Sequence, residues 1–264
     1  MPCPSATFTV WVSAWLAGAA APDDVLDALA PWADTHHVVA ADSATAAATS
    51  LPVSGKRGSS MAFLLGALRK AAPRATGRMV LPVPGDVRGL PGPCAFSRAA
   101  LAAGEGALFP DAGLGVVPSR VGGGLRWTVF TVPEAGPPPE HISLAAAEYE
   151  LREQVRQSTS VLTSLGVARH RPGVREEIDA ALRARPQARW PAGMPQSALR
   201  VLRHADEVDA ILAAATQDAL GGALSAAAAN ARTEALRPLA TAVRVARRAA
   251  VAEAVRVLAA GPLV

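Results

Sequence analysis

The sequence predicts an α/β N-terminal half, built on a mixed and mostly parallel sheet of about five strands, followed by an all-α helical bundle. Three observations predict it. Between residues 7 and 132, short β-branched and aromatic runs alternate with stretches of helical periodicity. Strands separated by helices in this way are what βαβ units leave in a sequence. Glu134–Glu140 then reads EAGPPPE, and its three consecutive prolines make a stiff, extended spacer. Beyond the spacer no strand pattern survives, and alanine, the best helix former, carries much of the apolar content. The expected organisation is an α/β domain over 1–133, a Pro-rich linker over 134–141 and a helical bundle over 142–264.

Each element has its own warrant. Thr7, Thr9, Trp11 and Ser13 alternate with Phe8, Val10 and Val12, so Thr7–Trp15 reads as a buried strand. The alternatives for this apolar stretch are a cleaved signal or a membrane anchor, but it lacks a basic leader. Pro22–Trp32 reads as a helix, with Pro22 near its start and Asp23 and Asp24 in the first turn. His37–Ala41 is a second strand. Ser59–Ala71 is a helix with Met61, Leu64, Leu65 and Leu68 on one face. Met79–Val83 is a third strand, expected inside the sheet, and Ser97–Leu108 a helix capped by Ser97. Gly113–Val117 and Leu125–Val132 read as a terminal hairpin turning at Arg120–Gly124. In the second half, helices are expected over Ser143–Leu165, Val174–Ala184, Gln196–Thr216 and Leu224–Ala260. The last should break or kink at Pro238 and stop at Gly261-Pro262. Trp190, between them, is expected to plug the core.

Composition bounds the function. The 264 residues are 50% hydrophobic but only 4% aromatic, and the net charge of +4 is modest. A dedicated nucleic-acid binder carries a denser basic footprint. The two cysteines, Cys3 and Cys94, make no disulfide framework and have no metal-ligand spacing, which fits a reducing cytoplasm. The five histidines form no HExxH or related pattern. No serine lies in G-x-S-x-G. No catalytic residue, metal site or cofactor is therefore expected.

Three segments remain as candidate sites. The first is the loop after Met79–Val83, where four prolines and three glycines surround one acid and one base. Gly85, Asp86, Arg88 and Gly89 form its centre, and Cys94 lies beside the next helix start. The residue types suit a preordered docking loop for a protein partner. They also suit a ligand site: Arg88 has a fork of donors for a phosphate or carboxylate, and Asp86 has a carboxylate for proton transfer. The second segment is Gly55, Lys56, Arg57 and Ser59, a possible anion site before a helix. It departs from a Walker A loop, having Ser50 where Gly is needed and Arg57 where Ser or Thr is needed. The third is a basic face of the last helix, with Arg244, Arg247 and Arg248 facing an acidic partner. The acids of the neighbouring helices, Asp206 and Asp209 among them, are expected to neutralise it.

The strand, the PVPGDVRGLPGP loop, the following helix and the Arg/Ala-rich C-terminal half resemble an uncharacterised family of actinobacterial proteins. In that family an LPVPGD-RGLPGP segment precedes a helix ending in AGE, here Ala103-Gly104-Glu105. The resemblance covers most of residues 40–250. It implies a cytoplasmic bacterial protein and transfers no catalytic residue. The leading expectation is a non-catalytic interaction or regulatory protein that binds a protein partner, with neither nucleic acid nor membrane. The alternative is a small-molecule or phosphate-ligand site at residues 82–93.

Overall fold

The computed structural model describes residues 3–55, 58–132, 142–164, 173–222 and 226–261. Its first element corrects the sequence reading. Pro4–Leu16 is a helix, α1, and all thirteen of its residues are buried. The alternation of Thr and Ser with apolar residues masked a four-residue repeat, Ser5, Thr9 and Ser13. Thr9 donates to the Ser5 carbonyl at 2.6 Å and Ser13 to the Thr9 carbonyl at 2.7 Å. These i→i−4 bonds satisfy the hydroxyls inside the helix, so a polar ridge can be buried. The adjacent ridge, Phe8, Val12 and Trp15, packs in the sheet core.

Pro22–Leu29 is α2, continued by a short 3₁₀ turn at Ala30–Trp32. His36–Ala40 is β1, Ser43–Thr49 α3 and Met61–Ala71 α4. Arg78–Val80 is β2, Ala95–Ala103 α5 and Gly106–Phe109 β3. Leu114–Val121 and Gly124–Thr131 form the terminal hairpin, β4 and β5.

The five strands make one mixed sheet in the order β1-β5-β4-β3-β2. Only β1 and β5 pair in parallel; β5-β4, β4-β3 and β3-β2 are all antiparallel. The expectation of a mostly parallel sheet is thereby reversed. The cause is local. The helix expected to run to Leu108 stops at Gly104, so residues 106–109 become a strand that folds straight back beside β2. β2 also lies at the sheet edge rather than inside it, and it ends at Val80.

The two faces of the sheet carry different cores. Leu114, Val116, Leu125, Trp127 and Val129 pack with α1, α2 and α4. On the opposite face Leu108, Val117, Phe130 and Val132 pack with Phe96 and Ala100 of α5. Gly115 permits this second layer: a Cβ there would lie 2.3 Å from the Phe96 ring. Neither sheet edge is an open template. Residues 52–54 and Ser59 pair beside β1, with Ala40 donating to Pro52 at 2.8 Å and Val38 to Ser59 at 2.9 Å. At the other edge Pro82 soon follows β2 and cannot donate.

The regular elements among the described residues of the second half are all helices, α6 Leu144–Ser164, α7 Val174–Arg183, α8 Gln196–Gly222 and α9 Ala226–Ala259, with a loop over 184–195. α9 continues through Pro238 without a break. Two compact units emerge. One comprises residues 142–186 and 196–250; the other comprises the sheet region together with 187–195 and 251–264. Within the latter, the Arg189 carbonyl accepts a bond from the Trp11 indole at 2.7 Å. Trp190 itself is only half-buried, so that contact and buried Met194 replace the expected Trp plug. The linker expected over 134–141 lies outside the described residues.

Candidate functional site

The 82–93 loop is built from two tight turns. In the first, Asp86 N–H donates to the Val83 carbonyl at 2.8 Å and Val83 N–H to the Asp86 carbonyl at 3.0 Å. Pro84 holds the second position and Gly85, with φ of 86°, the third, which is the type II arrangement. In the second turn Leu90 N–H donates to the Val87 carbonyl at 3.1 Å, and Gly89, with φ of 91°, holds the third position. Asp86 and Arg88 therefore come to the same side. Arg88 Nε donates to Asp86 Oδ1 and Nη2 to Oδ2, both at 2.8 Å. This fork raises the Arg88 pKa, chiefly through the hydrogen bonds to Asp86; burial opposes it, and the carboxylate charge adds a lesser rise. Val87, between the paired residues, is 56% exposed.

The loop leads into α5 through an unusual cap. Cys94, not Ser97, is the N-cap, and its sulfur accepts from Ser97 N–H at 3.4 Å. The Ser97 hydroxyl donates back to the Gly92 carbonyl at 2.5 Å and ties the loop's end to the helix. The expected Ser97 cap is thus corrected. Ser97 sits three residues in, and Cys94 has a structural task at the helix end.

The other candidate segments fare differently. Of the possible anion site, Lys56 and Arg57 lie outside the described residues. Ser59 is committed to β1, exchanging both backbone bonds with Val38 at 2.9 Å. Gly55 lies at the exposed start of the same loop. On α9, Arg247 turns inward: its side chain is 8% exposed and bonds to Asp206 and to Asp209, the latter at 3.2 Å. Arg185 reaches the same two acids at 3.3 and 2.9 Å. Burial opposes ionisation of Asp209, yet its pKa is lowered, with the Arg247 charge the largest of the opposing causes and Arg185 adding to it. Arg244 bonds to the Ala240 carbonyl and the Thr241 hydroxyl, and Arg248 is half-buried. The three arginines do not form one exposed face.

Two groups that sequence reasoning missed are half-buried in the α/β unit. Glu105 receives Ser5 N–H at 2.9 Å and the Cys3 thiol at 3.3 Å, so a distant carboxylate serves the start of α1. Burial raises its pKa against those bonds. His36 accepts the Trp127 indole N–H on Nδ1 at 3.0 Å, and burial lowers its pKa. Both pairings span about ninety to a hundred residues, and no local pattern signals them. Among the described residues no group of three His, Cys, Asp or Glu side chains is placed to hold a metal. No described helix is long and apolar enough to cross a membrane.

The fold defines an α/β protein with a helical C-terminal region. Residues 5–141 match the family described as Rv1486c-like protein, N-terminal domain, and residues 145–248 match its C-terminal domain. The chain belongs to this Rv1486c-like family. It is 41% identical over 241 residues to the uncharacterised protein Rv1486c of Mycobacterium tuberculosis, a match spanning 80% of this chain and 82% of the relative. A relative in Mycobacterium leprae, also uncharacterised, is 35% identical over 252 residues, or 81% and 84% of the two chains. No solved structure matches.

Proposed function

We propose that this is a non-catalytic cytoplasmic interaction or regulatory protein that docks a protein partner on the 82–93 loop. Val87 carries this reading. It is an exposed apolar side chain held between an acid and a base that are already paired, on a backbone fixed by two turns. Such a loop loses little conformational entropy on binding, which is where preorganised surfaces gain affinity. A small apolar centre with a guanidinium beside it also has the composition of an interface core. The fork of Arg88 is occupied by Asp86, so a phosphate or carboxylate would first have to displace that carboxylate.

A photo-crosslinking amino acid at position 87, introduced in the source bacterium, tests the reading. One adduct of defined mass is expected at 87. Its yield should fall on Arg88→Glu, and a crosslinker at exposed Phe63 should not give it. If position 87 gives no more adduct than position 63, the docking reading is lost. A melting temperature raised by phosphate in the wild type but not in Arg88→Ala would put a ligand site in its place.

A further inference from the structure

The strongest unexplained group outside the loop is His36, the first residue of β1. Its Nδ1 accepts the Trp127 indole N–H, and that bond fixes the neutral Nε2–H tautomer. Nε2 is enclosed and makes no hydrogen bond of normal geometry. The two rings stack with centroids 6.1 Å apart, and Trp127 in turn lies 5.0 Å from Phe8 at the centre of the core. The same end of β1 is held by Leu125 N–H donating to the Thr35 carbonyl at 2.9 Å.

From this geometry we infer that His36 is an acid-sensitive latch on the first residue of β1, closed while the imidazole is neutral and opened by its protonation. A proton on Nδ1 would set two N–H donors against each other across a 3.0 Å contact and leave a charge beside an apolar core. The surroundings offer little compensation. Within β1, His37 is a second base, and its charge opposes a second proton. β5 contributes Trp127, with Arg126 opposite His37 in the ladder. The turn after α2 contributes only the Leu29 and Ala33 carbonyls, which offset part of the burial, and Asp34 on its surface. The lowered pKa of His36 agrees with this accounting.

For a base whose folded pKa is depressed, the stabilisation is complete above the unfolded value and is lost as pH falls through the folded one. The latch therefore opens on acidification. The cost falls on the Thr35–His36 end of the sheet, which sits where the chain leaves α2 and its 3₁₀ turn.

Proton NMR across about pH 7.5 to about pH 5 tests this, since that range brackets ordinary histidine titration. The His36 ring and the Trp127 indole N–H should titrate together, with one midpoint below that of an ordinary histidine. At the acid end, the Trp127 indole proton should exchange several-fold faster than in His36→Asn, because protonation of Nδ1 removes its acceptor. Asn keeps an acceptor near the Nδ1 position and does not titrate, so its indole exchange should follow only the intrinsic pH dependence. Equal exchange in the two proteins at both ends of the range overturns the latch. Should His36→Asn not fold, the wild type decides alone: separate midpoints for ring and indole, or an ordinary His36 midpoint, overturn it.

Discussion

All five Trp and all five Phe side chains lie in the α/β unit, whereas the helical unit holds a single aromatic, Tyr149, and leaves it 65% exposed. In its place the helical unit buries Ala198, Ala205, Ala210, Ala242, Ala246 and Ala249. The units also treat charge differently. The α/β unit half-buries His36 and Glu105 beside neutral donors and acceptors, and desolvation moves each pKa toward the uncharged form. The helical unit sets Arg185 and Arg247 against Asp206 and Asp209, and the pKa of Asp209 is lowered despite its desolvation, the Arg247 charge being the largest opposing cause. One unit gains area per side chain; the other gains close approach of helices and needs ionic pairing to fix it.

Mutations should divide along the same line. The largest effect is expected from deletion in the aromatic core: Trp127→Ala should cost about 3–5 kcal/mol in urea unfolding, because the side chain is fully buried. The alanine core should instead be vulnerable to insertion. Ala246→Leu is expected to cost about 1–3 kcal/mol through overpacking, while Leu at exposed Ala62 should be nearly neutral. A similar cost for Trp127→Ala and Ala246→Leu would erase the distinction.

Charge sharpens it. Arg247→Met should lose on the order of 2 kcal/mol, less than a fully buried pair, since the Asp206 side chain is 47% exposed. The two half-buried acids should show opposite pH signatures. Asp209, with its pKa lowered, adds stability above the ordinary carboxylate range, and that gain is lost as pH falls through its folded value. Glu105, with its pKa raised, costs stability at neutral pH, and the cost is relieved on acidification through its folded value. Glu105→Gln should accordingly be at least as stable as wild type at neutral pH and lose that advantage as pH falls, read as the urea midpoint across pH. An advantage that grows on acidification would contradict the assignment.

The smallest effects belong to the loop. Gly85→Ala meets no atom within 4 Å, so its cost is backbone alone, about 1 kcal/mol for a non-glycine residue at φ of 86°. Asp86→Ala and Arg88→Ala should each cost about 0.5 kcal/mol or less, because the Arg88 side chain is 55% exposed, and the double mutant should be no worse than either. Calorimetric melting of the three variants measures this. A larger loss in one single mutant would mean that residue does more than close the loop.

Periodic faces and turn chemistry were legible in the sequence. The ridge of α4, the β4–β5 hairpin and the helical second half follow from them. So does the presence of a mixed sheet of five strands. What failed was choosing between periods where two fit. Residues 4–16 satisfy both a two-residue and a four-residue repeat, and only the Ser5-Thr9-Ser13 back-bonding favours the helix. Gly104 in the left-handed conformation was a visible stop signal; passing over it turned β3 into helix and the sheet into a parallel one. In the loop, the rigid turns were legible from Pro84, Gly85 and Gly89. The cap on Cys94 was not, because cysteine is not a usual N-cap residue.

The membership of residues 187–195 and 251–259 in the α/β unit bears on the order in which the protein is made. Trp11 waits for the Arg189 carbonyl, and Gly193 stands where an added Cβ would meet Leu258 at 3.8 Å. A ribosome that has delivered the whole sheet has therefore not yet delivered all of what covers α1. The nascent chain must hold an apolar helix in reserve until residues 187–195 emerge. Over that interval, holdase chaperones and the rate of translation decide whether it folds or aggregates.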